Sequence, residues 1–187
     1  MTAAPEPEAP PTRGVRHGTT SLTREIAAPP RRVFALFADP ALRQQWFRIP
    51  SEPGKSHYAL DFRVGGGETG GGVFAPMGEA ERIEYRSRFL DIVPDTRLVY
   101  SYELFLNDQR RTIAQVTVEL APQGPDHTHL TYTEQFVLVG FDGTGDQDFA
   151  HQRGMLPLML NGLEVVATHR PGTHGVALSH NAATSTW

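Results

Sequence analysis

The spacing of the apolar residues changes once along this chain, and that change limits the available folds more than any other feature. From Tyr58 to Leu138, apolar residues alternate with polar ones, as in strands with one buried face. After the loop 140–145, the spacing becomes that of one face of a helix. The apolar residues on that face are Leu156, Met159, Leu160, Leu163 and Ala167. The change predicts an α+β fold in which one C-terminal helix packs on an antiparallel sheet.

Ahead of the alternating region, the sequence predicts one strand and two short helices. The strand covers Thr20–Ala27 and ends at two prolines, which are well tolerated at the start of a helix. The helix that follows carries apolar residues at helical spacing, namely Val33, Phe34, Leu36 and Phe37. Asp39 is a natural N-cap followed by proline, which predicts a second helix that ends near Gln45.

Turn residues divide the alternating region into about six strands. The turns are expected at Gly78, Pro94-Asp95, Asn107-Asp108 and Pro122–Asp126. Two of the strands cover Val73–Met77 and Glu81–Val93. The final helix is expected from about Leu156 to His169, because Pro157 removes an internal hydrogen bond and marks a kink or the effective start. The whole sheet therefore has six to seven strands, with the long helix packed across it.

The two ends of the chain are poor in residues that a core could bury. Residues 1–18 contain four prolines among Ala, Glu and Thr, which predicts a disordered tail. Residues 171–187 lack a periodic apolar pattern and predict a loose C-terminal tail. The predicted folded domain therefore covers 19–170.

Composition excludes several classes of protein. The length of 187 residues suits one domain, and the net charge of −4 disfavours a nucleic-acid binder. The absence of Cys excludes disulfides and thiolate metal sites. No apolar run approaches the roughly 20 residues of a membrane span, and no signal peptide is evident. We therefore expect a cytoplasmic protein without a membrane span.

Three stretches of the sequence resemble the helix-grip, START-like fold of the SRPBCC superfamily. They are Ile26–Phe34 leading to Asp39-Pro40 and Trp46-Phe47, then Asp61–Gly66, then Phe89–Tyr100. The first matches the pattern A-x-P-x-x-V-F and D-P-x-x-x-x-x-W of the branch named for the activator of the heat-shock-protein-90 ATPase. That branch often has Gly-Trp early in the last helix, where this chain has Gly154-Met155. The resemblance implies a cavity between the sheet and the last helix, and a link to the stress response.

Three weaker motifs have simpler explanations. Gly65, Gly67 and Gly70 satisfy G-x-G-x-x-G, but a strand-like segment follows instead of a helix, which predicts a flexible hairpin tip over 65–72. The acids Asp142, Asp146 and Asp148 lack the glycine and glutamate of a calcium loop. The eight His residues include no zinc-binding pair, so neither a metal nor a cofactor is expected.

Glu134 is the best candidate for a catalytic residue, because it is an acid within an apolar alternating set. It shares a strand face with Tyr132 and Phe136, which should point toward the last helix. Burial would raise the pKa of such a carboxyl and suit proton transfer or ligand anchoring. A structural pairing with Arg at an open mouth is the alternative.

The sequence leaves three functions open. The first is a carrier of an apolar or aromatic, lipid-like or polyketide-like small molecule. The predicted ligand-binding residues are Trp46, Phe47, Tyr58, Phe62, Phe89, Tyr100, Tyr102, Tyr132, Glu134, Met155 and Met159. The second is a cyclase-like or hydrolase-like enzyme that uses Glu134 or a tyrosine. The third is a module that binds a protein partner, and a homodimer also remains open.

Overall fold

The computed structural model describes residues 14–75, 78–141 and 143–169, which form seven strands and three helices. The strands are β1 (Val15–Ile26), β2 (His57–Leu60), β3 (Glu68–Phe74), β4 (Glu81–Val93), β5 (Arg97–Leu106), β6 (Gln109–Pro122) and β7 (Thr128–Val139). The helices are α1 (Pro30–Ala38), α2 (Pro40–Trp46) and α3 (Asp146–Thr168). This arrangement confirms the predicted α+β helix-grip fold. The predicted tails outside these ranges lie beyond the described residues.

All seven strands belong to one antiparallel sheet, in the order β1-β7-β6-β5-β4-β3-β2. From β2 to β7, each strand pairs with the next one along the chain. β1 instead pairs with the last strand, where Ser21 lies opposite Thr133. The first and last strands of the sheet are therefore neighbours, and β1 and β2 form its two edges.

β1 begins at Val15, earlier than the predicted start at Thr20. Residues 15–18 therefore belong to the sheet and not to the predicted tail. Their polar character concealed the strand, but Arg16 has two long-range contacts that hold it in place. Its guanidinium donates to Asp146 at 2.5 Å and lies 4.7 Å from the ring centroid of Phe149.

α3 begins at Asp146 and not near Leu156, so the predicted start was wrong. Proline at position 157 lies inside the helix, where it neither starts nor ends the element. The first turns carry Asp146 and Asp148, which suit the positive end of the helix dipole. Phe149 fixes this end to the sheet by packing on Phe136 of β7, with centroids 5.4 Å apart.

The glycine-rich stretch contains a strand rather than only a hairpin tip. Residues 70–72 lie in β3, which ends at Phe74 instead of continuing to Met77 as predicted, and position 77 itself is not described. The segment after α2 crosses this strand closely. A Cβ atom at Gly70 would lie 3.0 Å from Ile49, and one at Gly72 would lie 2.4 Å from Ser51. The glycines therefore permit a close approach of two segments.

The core lies between the helices and the sheet face that carries Tyr132 and Phe136, which we call the inner face. Leu160 and Leu163 of α3 are fully buried there, as the helical spacing predicts. Asp39 caps α2 by accepting hydrogen bonds from two backbone N–H groups of its first turn, which fixes α2 beside α1. None of the helices in the described ranges is long and apolar enough to cross a lipid bilayer.

Candidate functional site

Several of the aromatic residues predicted to surround a ligand pack against one another. The ring centroids of Trp46 and Phe47 are 6.3 Å apart, and those of Phe62 and Phe89 are 4.9 Å apart. Trp46 is buried, and its indole N–H donates to a backbone carbonyl of α1 at 2.8 Å. These side chains form the core between the short helices and the sheet. Their role in ligand contact stays a prediction.

The two methionines predicted to contact a ligand lie on different sides of α3. Met159 is partly buried against the core. Met155 is 47% exposed, so it does not form part of the wall that faces the sheet. The buried face of α3 runs through Leu156, Leu160 and Leu163, and the helical rotation turns position 155 away from it.

Two buried tyrosines of the predicted set bind each other through their hydroxyl groups. The oxygens of Tyr100 on β5 and Tyr132 on β7 are 2.7 Å apart. Burial raises the pKa of Tyr100 to about 12 and raises that of Tyr132 as well. Both phenols therefore stay protonated at neutral pH, as members of a hydrogen-bonded pair in the core.

Glu134 points into the core, as the alternation predicted, and is only 5% exposed. The Tyr102 hydroxyl donates to one carboxylate oxygen at 2.5 Å. Gln152 of α3 donates to the other oxygen at 3.2 Å and to the Tyr102 hydroxyl at 2.7 Å. Thr20 lies directly opposite Glu134 on β1, and its buried hydroxyl has no hydrogen-bond partner among the described residues. Strands β5 and β7 and helix α3 thus converge on one carboxylate.

Burial raises the pKa of Glu134, and the hydrogen bonds from Tyr102 and Gln152 offset part of that rise. Burial and the neighbouring negative charge of Glu134 also raise the pKa of Tyr102. Glu134 and Tyr102 therefore both bind protons more tightly than the same side chains do on a protein surface. Such perturbed pairs are common where proteins bind ligands or transfer protons.

Glu134→Gln should change how stability depends on pH. Because the pKa of Glu134 is raised above 4.5 in the folded state, this group stabilises the wild type below about pH 4.5, and the stabilisation is lost as the pH rises through the folded-state pKa. The amide does not titrate, so the variant should gain stability relative to the wild type from pH 4.5 toward neutrality. Urea unfolding midpoints over this range measure the difference. A difference that is constant with pH would contradict the prediction.

A cleft of about 900 Å³ opens beside this carboxylate, at the N-terminal end of α3. Thr112 of β6 and Gln152 lie in its lining, and the Thr112 hydroxyl contacts the amide oxygen of Gln152 at 3.4 Å. Apolar side chains of the adjoining elements line it too, namely Ile83, Leu104, Phe105, Leu106, Leu138 and Phe141. Gln152 also binds Glu134 and Tyr102, neither of which lines the cleft, so this side chain connects the cleft to the buried polar group.

Charged residues border the same cleft. The lining includes Glu81, Arg111, Asp146 and Asp148. Arg111 pairs with Asp148 at 2.9 Å, and Asp146 pairs with Arg16 at 2.5 Å. The acids first considered for a calcium loop thus bind arginines instead, while Asp142 lies outside the described residues. In the described chain, no group of three or more potential metal-ligating side chains occurs.

A second buried polar cluster was not predicted from the sequence. Arg43 of α2 donates two hydrogen bonds of 2.8 Å to Glu68 of β3, and Tyr58 donates a third to the same carboxylate at 2.8 Å. The guanidinium also lies over the rings of Trp46 and Phe47, at 4.3 and 4.1 Å from their centroids. The signal for Arg43 was its position three residues before Trp46 on one helix face.

Gln152 and Thr112 were also missed. Gln152 lies four residues before Leu156, so it shares the buried face of α3 once the true helix start is known. Thr112 shares the inner-face parity of Ala114 and Val116 on β6. Both could have been found only with the correct bounds of their elements.

Comparisons with known proteins place this architecture in a wider group. Residues 27–167 match a family model described as Activator of Hsp90 ATPase homolog 1-like protein. No curated protein matches the sequence significantly. A solved structure of an uncharacterised protein from Rhizobium leguminosarum is similar, with 32% identity and a TM-score of 0.69 over 83% of this chain and 97% of that one.

Two further solved structures share the fold. The Mll3558 protein from Rhizobium loti has 35% identity and a TM-score of 0.63 over 80% of this chain and 99% of that one. DynU16, a protein of the dynemicin biosynthetic locus, has 17% identity and a TM-score of 0.53 over 79% of this chain and 46% of that one. At that identity the likeness to DynU16 shows the fold alone.

Proposed function

The chain belongs to the Activator of Hsp90 ATPase homolog 1-like family, and on that premise we propose that it binds a small amphipathic organic molecule in the cleft beside α3. The observation that carries the proposal is the cleft of about 900 Å³ whose inner end meets Gln152 and, behind it, the buried carboxylate of Glu134. Ligand sites in proteins are concave, mostly apolar, and contain a few polar groups that orient the ligand. This cleft combines the same features.

The walls and the inner end of the cleft favour different parts of such a molecule. Leu104 of β5 and Leu138 of β7 supply apolar surface on opposite sides of Thr112, their partner in register on β6. The Thr112 hydroxyl and the Gln152 amide supply polar contacts at the inner end. An aromatic or aliphatic body with one polar end would match this distribution.

Leu104→Trp tests the proposal because the larger side chain would narrow the part of the cleft that Leu104 lines. Native mass spectrometry of the protein purified from its own host should show a bound small molecule on the wild type, and Leu104→Trp should lose it. The control is Leu90→Trp, since Leu90 is an exposed residue of β4 outside the cleft. No added mass on the wild type, or the same added mass on the Leu104→Trp variant, would contradict binding in the cleft.

A proton-transfer enzyme is the second candidate function. The observation that favours it is the hydrogen bond between Tyr102 and the buried carboxylate of Glu134, a pair with raised pKa values. A carboxylate whose pKa is raised is a stronger base than an ordinary carboxylate, which suits it to accept a proton and return it. If Glu134→Gln still binds the small molecule but no longer converts it to a product, the result supports the enzyme hypothesis. If neither the wild type nor Glu134→Gln converts the molecule, the result supports the carrier hypothesis.

A further inference from the structure

The inner end of the cleft offers hydrogen-bond acceptors, while its donors are already engaged. Both N–H groups of the Gln152 amide are used, one by the Tyr102 hydroxyl and one by Glu134. The Thr112 hydroxyl is directed at the amide oxygen of Gln152. Both oxygens of Glu134 are engaged in hydrogen bonds, one with Tyr102 and one with Gln152. A group that enters here therefore meets oxygen atoms that accept.

The charged residues around the cleft also disfavour an anionic group on the ligand. Its lining contains three acids and one arginine, and that arginine is already paired with Asp148. Arg16 approaches from β1 but is paired with Asp146. Glu134 adds a further carboxylate directly behind Gln152. His151 also lines the cleft, but an anionic group beside Gln152 would lose its hydration near the negative charge of Glu134, and the arginine of the lining is already paired.

We propose that the cleft selects ligands whose buried end is a neutral hydrogen-bond donor, such as a phenol or an alcohol, and rejects carboxylates of the same shape, with Glu134 as the specificity-determining acceptor. The proposal rests on the proposed function and adds the chemical class of the ligand. The hydroxyl of the ligand donates to the Glu134 oxygen that accepts the longer hydrogen bond, the one of 3.2 Å from Gln152, because a carboxylate oxygen can accept a second bond. The apolar body stays against Leu104 and Leu138.

The mechanism of selection is the cost of an unmet hydrogen bond. A site built to accept a hydrogen bond discriminates strongly against an analogue that cannot donate one, because the acceptor is then left desolvated. A ligand carboxylate in place of the hydroxyl cannot donate a hydrogen bond, and it brings a second negative charge close to that of Glu134. Replacing Glu134 by an uncharged residue should therefore remove the discrimination against the anion.

Three naphthalene probes test the inference by isothermal titration calorimetry at neutral pH. 2-Naphthol carries the donor, 2-methoxynaphthalene lacks it, and 2-naphthoate carries a negative charge. The wild type should bind 2-naphthol about tenfold or more tightly than either of the other two. Glu134→Gln should bring the ratio of naphthol to naphthoate affinity close to one. The control Glu103→Gln, at a residue of β5 that pairs with Arg110 outside the cleft, should keep the wild-type ratio.

The comparison of 2-naphthol with 2-methoxynaphthalene needs only the wild type, so it does not depend on the folding of any variant. Equal or tighter binding of 2-naphthoate, equal binding of 2-methoxynaphthalene, or a ratio that Glu134→Gln leaves unchanged would overturn the inference. These outcomes leave the proposed function standing, because Leu104→Trp tests binding in the cleft separately. If none of the three probes binds, and the Leu104→Trp variant purified from the host carries the same small molecule as the wild type, both proposals fail.

Discussion

Glu68→Gln should lower the free energy of unfolding by about 3–5 kcal/mol, the largest loss that we expect from a substitution outside the apolar core. Glu68 is 1% exposed and is the carboxylate partner of Arg43, which is 3% exposed. Removing the negative charge leaves the guanidinium buried without a counter-charge. One of its nitrogens, Nη1, already has no hydrogen-bond partner among the described residues. Urea unfolding at neutral pH measures the loss.

A double variant separates the pair from its surroundings. Replacing Arg43 and Glu68 together by methionine removes both charges, and should recover most of the stability that either single change loses. Arg63→Met provides the surface control, because Arg63 pairs with Asp61 in an exposed ion pair worth less than about 1 kcal/mol. If Glu68→Gln costs no more than Arg63→Met, the buried pair does not stabilise the fold as its geometry indicates.

Leu160→Ala and Leu163→Ala should each lower the free energy of unfolding by about 2–5 kcal/mol, because each leaves a space in a filled core. Both side chains are fully buried on the face of α3 that meets the sheet. Leu158→Ala on the same helix is the matched control. That side chain is 66% exposed, so its removal should change stability by less than about 0.5 kcal/mol. Equal midpoints for all three variants would contradict the assigned helix face.

The sequence predicted the elements whose apolar residues repeat regularly. The alternation on β7 placed Glu134 on the inner face, and the helical spacing placed Leu160 and Leu163 in the core. Where the apolar repeat is interrupted, the predicted bounds of the helices and strands were wrong. The first turns of α3 contain Asp, Gln, His and Arg, and they are held by contacts with distant strands, such as Arg16 with Asp146. Local patterns do not report such contacts.

The candidate site could be predicted only in part. A lone acid among apolar neighbours identified Glu134, because its environment follows from its own strand. Its partners Tyr102 and Gln152 come from two other elements, and their meeting depends on strand order and on the start of α3. The pattern also shows which aromatic residues face inward but not whether they enclose a space. The structure packs Phe62 against Phe89 and opens the cleft elsewhere.

The pairing of β1 with β7 also bears on how the chain folds. Ser21 and Thr133 bond across the sheet although 112 positions separate them in the chain. Closing so long a loop has an entropic cost that local hairpins avoid, and high contact order slows folding. The hairpins from β2 to β7 can form from neighbouring segments, so they should precede the docking of β1. During synthesis, β1 leaves the ribosome before the other strands of the sheet, and its backbone N–H and C=O groups wait longest for their partner strand.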